Sequence, residues 1–262
     1  MRNKLTDELA VCGMNAALAA GEYHPEKINR LFLREDRLKS FLGVCKQLAE
    51  RKRPYKICED EELERICKSV HHQGVVAMIE APEVAPLSME DLDLWAAEGK
   101  TGLVLHSVGN DHNLGAIARA AAFFDAFFII LNEQDSEARL STSAYRVAEG
   151  GFEHLTVRKV GDTAAFLKDA SKQLVTIGTD IRARQRIGDL GGIVKDAQLR
   201  RGRFAQGAKP GVALVLGNEE TGLPRNVKDQ CSCILRIPGT GNIESLNVAQ
   251  AAALFLHTLF EL

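Results

Sequence analysis

Short apolar segments alternate with helical patterns through the last two thirds of the chain. The segments, of which V-A-L-V-L at 212–216 is the clearest, are apolar at successive positions, as in strands that are buried on both faces. Between them, apolar residues recur at the three- and four-residue spacing of helices. The pattern predicts strands at 102–107, 126–131, 154–158, 173–178, 212–217 and 233–237, and helices at 114–124, 162–171, 222–230 and 245–260. This alternation indicates an α/β fold with a parallel sheet covered on both faces.

The N-terminal part of the sequence predicts a smaller α/β unit. Its pattern favours helices at 11–20, 36–53 and 60–67, and strands at 28–33, 54–58 and 73–81. Between Pro82 and Gly99 the chain is acidic and contains two prolines, which suits a linker with one short helix. We therefore expect a small domain at 1–82, a linker at 83–99 and a larger domain at 100–262.

Composition places the chain among globular proteins. Of its 262 residues, 45% are hydrophobic and 26% are charged, which is an ordinary balance. The apolar stretches at 120–131 and 248–260 are too short or too interrupted to cross a bilayer. The first residues, M-R-N-K-L-T-D-E-L, lack the apolar segment of a secretory signal. We expect a cytoplasmic protein without a membrane partner.

The six cysteines show no C-x-x-C pair and no histidine at zinc spacing. This pattern predicts reduced cysteines packed in the core, without a metal site or a disulfide framework. The six are Cys12, Cys45, Cys58, Cys67, Cys231 and Cys233. The last two alternate, as side chains on one face of a buried strand do.

The net charge of −2 argues against a protein that coats nucleic acid through a general positive field. Two local basic stretches could still contact RNA. One is 51–53, and the other is the arginine-rich run from Arg182 to Arg203. Most such runs are solvated surface, so neither is decisive alone.

A polar segment, H-S-V-G-N-D-H-N-L-G-A-I-A-R at 106–119, follows the first strand of the larger domain. Loops at the carboxyl ends of parallel strands are where α/β proteins bind ligands. Asn113 is expected to cap the helix that begins there. Arg119 lies among small apolar residues and needs an anionic partner, either an acidic side chain or a ligand.

A second polar segment, G-N-E-E-T-G at 217–222, follows the strand at 212–217. Gly217 permits a close approach of the backbone to a ligand. Glu219 and Glu220 come at the start of the next predicted helix, where the helix dipole alone favours carboxylates. Capping and a functional role are therefore both open for this pair.

A third segment, I-P-G-T-G-N-I-E-S-L-N-V at 237–248, follows the last strand. Ser245 or Asn247 begins an apolar helix. The segment lacks the third glycine of a dinucleotide fingerprint and the Gly-Lys-Ser/Thr of a P-loop. The three loops together predict one pocket for a small molecule, whose identity the residue types leave open.

These segments resemble, in order and at compatible spacing, the three motifs of the SpoU-type RNA 2′-O-ribose methyltransferases, a branch of the SPOUT superfamily. The N-terminal unit is similar to that family's RNA-binding domain, which resembles a ribosomal protein, through G-M-N-A-A-L-A-A at 13–20 and H-H-Q-G-V-V-A at 71–77. The matching motif residues are Asn113, Gly115, Ala116, Ile117 and Arg119 in the first, Gly217, Glu219 and Gly222 in the second, and Ile237, Pro238, Gly241, Ser245, Leu246, Asn247 and Val248 in the third.

The resemblance implies a homodimer that transfers a methyl group from S-adenosylmethionine to a ribose 2′-OH of tRNA or rRNA. It also implies a trefoil knot in the C-terminal part of the α/β domain. The donor would be held mostly by main-chain groups. The implied cofactor-binding residues are Leu216, Gly217, Ile237 and Leu246.

The same resemblance makes Arg119 the central catalytic residue. An arginine stays protonated in proteins, so we expect Arg119 to orient the hydroxyl and the adjacent phosphate and to stabilise the forming alkoxide rather than act as a base. The other implied catalytic residues are Asn113, Glu219, Ser245 and Asn247.

The sequence also departs from the usual family pattern. Gly239 stands where the family has Met, and Ala249 stands where it has Ser. The loop usually reading Lys-x-Ser-x-Gly-Ala is R-V-A-E-G-G at 146–151, which introduces Glu149. Two alternatives therefore stay open: a non-catalytic RNA-binding or assembly protein on this scaffold, and a related α/β enzyme with another adenosine-containing ligand.

Overall fold

A computed structural model describes residues 2–3, 7–134, 139–201 and 209–262. The strands are β1 Arg2–Asn3, β2 Glu8–Cys12, β3 Ile28–Leu33, β4 Tyr55–Ile57, β5 Val75–Glu80, β6 Thr101–Leu105, β7 Phe128–Asn132, β8 Thr156–Val160, β9 Val175–Thr179, β10 Gln185–Arg186, β11 Val212–Leu216 and β12 Cys233–Arg236. The helices are α1 Met14–Tyr23, α2 Leu38–Glu50, α3 Asp60–Cys67, α4 Met89–Glu98, α5 Asp111–Phe123, α6 Thr142–Ala148, α7 Thr163–Ala170, α8 Leu190–Arg201, α9 Arg225–Lys228 and α10 Val248–Phe260. Short 3-10 turns occupy Pro25–Lys27, Glu35–Arg37, Gly151–His154 and Ile187–Asp189.

The chain forms two compact units. The first comprises Met1–Glu83, Leu114–Arg119 and Arg139–His154, and the second comprises Val84–Asn113, Ala120–Ala138 and Leu155–Leu262. Part of α5 and all of α6 thus belong to the N-terminal unit. In the described residues, no helix is long and apolar enough to cross a membrane.

The first unit is built on a mixed sheet in the order β1-β2-β5-β3-β4. β2 and β3 flank β5 in antiparallel pairing, and β4 adds to β3 in parallel. One layer of its core joins β2 and β5 to α3. The buried residues of that layer are Ala10, Cys12, Cys58, Leu63, Cys67, Val76 and Met78.

The second unit is built on a parallel sheet in the order β10-β12-β9-β11-β6-β7-β8. Its buried strands are the apolar runs that the sequence pattern identified. The capping box of Ser88 and Asp91 begins α4, which places Trp95 fully inside the core. The Trp95 indole donates to the carbonyl of Lys100 at 3.1 Å, so its polar edge is satisfied while its ring packs against Phe128.

Most predicted elements are confirmed. The predicted strand at 28–33 and the helix at 60–67 match β3 and α3 to the residue. The parallel sheet and all six of its predicted strands are present, within one to two residues at each end. The reason is that a continuous apolar run bounded by polar turns is a strong strand signal in a parallel sheet.

Some predicted elements are wrong. The helix expected at 11–20 begins at Met14, because residues 11–12 belong to β2 and Gly13 adopts φ +102. The helix expected at 222–230 is reduced to α9, which begins only after Pro224. Two helices, α6 and α8, were not predicted. The helix α6 is too short to give a clear pattern, and α8 contains the adjacent weak helix formers Gly191 and Gly192.

The tight contact between β6 and α4 gives a first prediction. A Cβ on Gly102 would lie only 2.7 Å from Cε2 of Trp95, so Gly102→Ala should lower the free energy of unfolding by about 1–3 kcal/mol. Gly43→Ala is the control, because a Cβ at this position of α2 meets nothing within 4 Å and should stabilise the helix by about 0.5–1 kcal/mol. Urea denaturation measures both. A Gly102→Ala variant as stable as the wild type would contradict the packing.

Candidate active site

The carboxyl ends of β6, β9, β11 and β12 share one edge of the parallel sheet, because these strands run in the same direction. The loop after β6 and the loop after β11 are joined directly there. The amide of His106 donates to the carbonyl of Leu216 at 2.9 Å. The Asn218 side chain donates to the carbonyl of Ser107, also at 2.9 Å. Two of the three predicted loops are therefore held together, by one bond between main-chain groups and one from a side chain to the main chain.

The Glu219 carboxylate is the anionic centre of this edge. It accepts a hydrogen bond from the amide of Gly109 at 3.1 Å and another from the side-chain amide of Asn113. Glu219 lies in a turn before α9 rather than in a helix, so of the two roles left open for it, helix capping does not apply. Its position is fixed by the loop after β6 and by the first turn of α5.

Asn247 brings in the third loop. Its side-chain amide donates to Oδ1 of Asn113 at 3.0 Å, and its own Oδ1 accepts from the amide of Ala249 at 2.9 Å, which caps α10. Asn247, Asn113 and Glu219 thus form one chain of hydrogen bonds across the three loops. We call it the amide–carboxylate chain.

Asn113 does not cap α5, contrary to the sequence-based expectation. Asn110 is the cap, and its Oδ1 accepts from the amide of Asn113 at 2.8 Å. The side chain of Asn113 is therefore available for its contacts with Glu219 and Asn247. Asn110 and Asn218 are site-shaping residues that the sequence analysis missed, although Asn in a strand-end loop is a signal for such local turns.

The residues expected to hold a cofactor lie on strands and loops of the second unit and differ in exposure. Leu216 is buried and Leu246 is 47% exposed, whereas Ile237 is half-buried. Ser245, which was expected to be catalytic, is exposed. A Cβ on Gly217 would lie 2.6 Å from the amide nitrogen of Leu223. The close approach that requires glycine at 217 is thus made by the chain's own turn.

The loop before α10 presents its backbone to solvent. In the described part of the chain, the main-chain groups of 238–246 form no hydrogen bond with another main-chain group. A Cβ on Gly239 would meet nothing within 4 Å. The loop therefore offers open space lined by peptide groups without main-chain partners, which suits a ligand that is recognised by main-chain donors and acceptors.

Arg119 has the anionic partner that the sequence predicted it would need. Its Nη1 lies 3.0 Å from Oε1 of Glu149, and the second oxygen of Glu149 accepts from the Asn15 side chain at 3.1 Å. The Arg119 side chain is 59% exposed, so one face of the guanidinium is open to solvent. The sequence had marked Glu149 as a departure from the family, and Asn15 had been missed.

Close packing of α5 against α6 brings Arg119 and Glu149 together. A Cβ on Gly115 would lie 2.8 Å from Cβ of Val147, and one on Gly151 would lie 2.8 Å from the carbonyl oxygen of Ala118. Glycine at these two positions lets α5 approach α6 and the turn after it. The approach brings Arg119 to Glu149, the first residue after α6.

A half-buried carboxylate also lies at this sheet edge, after β9. Burial disfavours the charged form of Asp180, but hydrogen bonds from the ammonium of Lys228 at 2.6 Å and from the amide of Arg182 hold its pKa below the ordinary value. Asp180 is therefore a fixed negative charge that is already paired.

The remaining candidates are surface or core residues. Arg182, Arg184 and Arg186 are exposed, and Arg203 lies outside the described residues. Arg53 donates to Asn29 at 2.8 Å. The six cysteines are free thiols, of which four are buried and two are half-buried. Across the described ranges, no cluster of three or more His, Cys, Asp or Glu side chains could hold a metal ion.

Comparison with known proteins matches both parts of the chain. Residues 100–257 match the model of the SpoU rRNA Methylase family, and residues 10–85 match a model described as RNA 2′-O ribose methyltransferase substrate binding. A relative from Bordetella pertussis, named 23S rRNA (guanosine-2′-O-)-methyltransferase RlmB, is 30% identical over 94% of this chain and 94% of its own length. A protein of the same name from Xylella fastidiosa is 31% identical over 96% of this chain and 94% of its own.

The fold has a close structural counterpart. The AdoMet-bound rRNA methyltransferase of Sinorhizobium meliloti superposes with a TM-score of 0.74, covering 98% of this chain and 88% of that one at 21% identity. At that identity the likeness concerns the fold. The methylase model matches more than half of the sequence, and this match shows that the chain belongs to the SpoU rRNA methylase family.

Proposed function

We propose that this protein transfers a methyl group from S-adenosylmethionine to a ribose 2′-OH of ribosomal or transfer RNA. The observation that carries the proposal is the amide–carboxylate chain, which ties the three family motifs together at one edge of the sheet. Relatives in two species are named 23S rRNA (guanosine-2′-O-)-methyltransferase. These names favour a guanosine of ribosomal RNA as the acceptor.

The loop before α10 has features that suit S-adenosylmethionine, the methyl donor. The peptide groups of 238–246, which have no main-chain partners in the described residues, and the open space at Gly239 suit a ligand bound mostly through main-chain contacts. We assign cofactor binding to Leu216, Gly217, Ile237 and Leu246. S-adenosylmethionine, when bound, supplies an electrophilic methyl group on a sulfonium.

The protein's side chains would then align the ribose hydroxyl and help it to lose its proton. We assign Arg119 to the hydroxyl and the adjacent phosphate, because its exposed guanidinium can donate to both and stabilise negative charge on oxygen. Asn113, Glu219 and Asn247 would keep the strand-end loops in one arrangement during the reaction, and Ser245 would contact the substrate.

We assign RNA binding to the N-terminal domain, residues 1–82, joined by the linker at 83–99 to the methyltransferase domain at 100–262. The support is the substrate-binding model that matches 10–85. RNA substrates of such enzymes are read largely through shape and unstacked bases, which a net charge of −2 permits. An RNA-modifying activity is consistent with a cytoplasmic location.

We further propose that the protein is a homodimer. A cluster of aromatic side chains at the ends of α5 and α10 supports this: Phe123 is 79% exposed and Phe260 is 55% exposed. Phe124 joins them, with its ring centroid 5.0 Å from that of Phe123 and 5.9 Å from that of Phe260. Contiguous exposed apolar surface of this kind is typical of protein interfaces.

A trefoil knot in the C-terminal part is also a proposal. Its support is the path of the chain after β12. β12 lies beyond β9 in the sheet, yet α10 returns to pack against β11 and α8. After β12 the chain therefore returns across β9 towards β11, and a threaded topology includes such a return.

The proposed reaction gives a second prediction. Wild-type protein should bind S-adenosylmethionine in calorimetry and transfer a labelled methyl group to ribosomal RNA, with the label on a ribose. Arg119→Ala should lower kcat by about 10²–10³-fold, because it removes transition-state stabilisation, and leave the donor Kd nearly unchanged.

Arg225→Ala is the matched control, since the Arg225 side chain is 93% exposed on α9 and has no assigned role in the reaction. RNA binding without donor binding or methyl transfer by the wild type would refute the proposal and support the RNA-binding alternative. Binding of another adenosine compound in place of S-adenosylmethionine would support the other enzyme class.

A third prediction concerns the amide–carboxylate chain. Glu219→Ala removes the acceptor of both hydrogen bonds, so stability should fall by about 1–3 kcal/mol. Hydrogen exchange of the Gly109 amide should accelerate. Glu220→Ala, at an exposed neighbour, should change neither. Unchanged exchange at Gly109 in the Glu219 variant would argue against the assigned bond.

A fourth prediction tests the dimer. Phe260→Arg places a charge in the aromatic cluster and should convert the dimer to monomers in light scattering at micromolar concentration. Val70→Arg, at another exposed apolar side chain (67%) in the N-terminal unit, should leave the dimer intact. A monomeric wild type would rule the proposal out.

A further inference from the structure

We propose that Glu149 is a positioning residue for the methyl-transfer reaction, which holds the Arg119 guanidinium in one orientation for the substrate. The inference rests on the proposed function for the role of Arg119. It rests on the structure for everything else, because the contact between the two side chains is independent of any ligand.

Both carboxylate oxygens of Glu149 are engaged. Oε1 lies 3.0 Å from Nη1 of Arg119, and Oε2 accepts from Nδ2 of Asn15 at 3.1 Å. A carboxylate held at both oxygens has a defined plane, so it presents a fixed acceptor to the guanidinium. An arginine that is 59% exposed otherwise has considerable rotamer freedom, which this contact restricts.

The ion pair leaves the arginine able to act. A guanidinium has five N–H donors in a planar fork, and the contact with Glu149 is made at Nη1. The remaining donors can address a phosphate or a 2′-oxygen. Glu149 thereby orients the group while its open face stays accessible.

The backbone at 149 favours a different residue type. Glu149 is the first residue after α6 and adopts φ +48. Glycine, and less often asparagine, is the usual residue in this left-handed position after a helix. An exposed ion pair adds little to stability. Glycine at 149 would therefore relieve the backbone, but it would remove the acceptor for Arg119.

Glu149 also borders a polar pocket of about 150 Å³ in the same unit. Asn15, Gln73 and Arg146 line its walls. Gln73 is itself fixed, because its Oε1 accepts from the amide of Met14 at 2.7 Å. The carboxylate that orients Arg119 is therefore part of an ordered polar surface.

The fifth prediction separates positioning from folding. Glu149→Gly suits the left-handed backbone, so its melting temperature should equal or exceed that of the wild type, while kcat should fall between about tenfold and 100-fold, as expected for a misplaced catalytic group. Glu149→Gln, which keeps one acceptor, should retain an intermediate kcat. The KM for RNA should change less than kcat in both variants.

Lys68→Gly is the matched control. Lys68 is the first residue after α3 and has the same left-handed conformation, φ +55. This variant should gain the same backbone benefit without a loss of kcat. A Glu149→Gly protein with wild-type kcat would overturn the proposal, and so would a loss of activity that simply follows a loss of thermal stability.

A second measurement does not need turnover. The Nε–Hε signal of Arg119, assigned through Arg119→Lys, should be resolved and protected in the NMR spectrum of the wild type and become averaged in Glu149→Gly. If the wild type methylates no RNA, the proposed function fails while this signal still reports on positioning. An Arg119 signal that is the same in both proteins would overturn the inference itself.

Discussion

The parallel pairing of β11 with β6, in register from Val212 and Thr101 to Leu216 and Leu105, is the constraint on which the site depends. Parallel strands bring their carboxyl ends to one edge, so the polar segments that follow them must meet there. Burial on both faces fixes the register, because a shift by one residue would reverse which side chains face each layer. The position of the Glu219 carboxylate follows from this pairing, since its partners come from the loop after β6.

The fold of the second unit could be predicted because several local features of the sequence indicate each of its strands. Its strands are apolar runs closed by polar turns, and their direction follows from the helices between them. The errors lie where a signal is short or contradicted. Residues 11–12 read as the start of a helix, although pairing with β5 makes them strand. The helix α8 contains Gly191 and Gly192, which have low helix propensity, so tertiary packing must stabilise it.

The hydrogen bonds among the candidate site residues could not be predicted from the sequence. The motifs include Asn113, Glu219 and Asn247, but taken alone the first loop indicated helix capping for Asn113, and the second left capping and a functional role open for Glu219. Glu219 accepts across 110 positions of sequence from Gly109, and no local rule can specify such a partner. Asn247 is the informative exception, because it caps α10 and also reaches Asn113. One side chain can satisfy a local rule and a distant contact together.

Two residues that make contacts of this kind have a strained backbone. Ser107 and Glu149 are non-glycine residues with φ of +55 and +48, a conformation that costs an L-residue roughly 1–2 kcal/mol. At Ser107 the strained turn directs a carbonyl to the Asn218 side chain. At Glu149 it directs a carboxylate to Arg119. In both cases the conformational cost falls on one residue, whereas the contact is made with a residue distant in sequence in the same unit. A glycine that relieved the strain at 149 would therefore also remove the acceptor for Arg119.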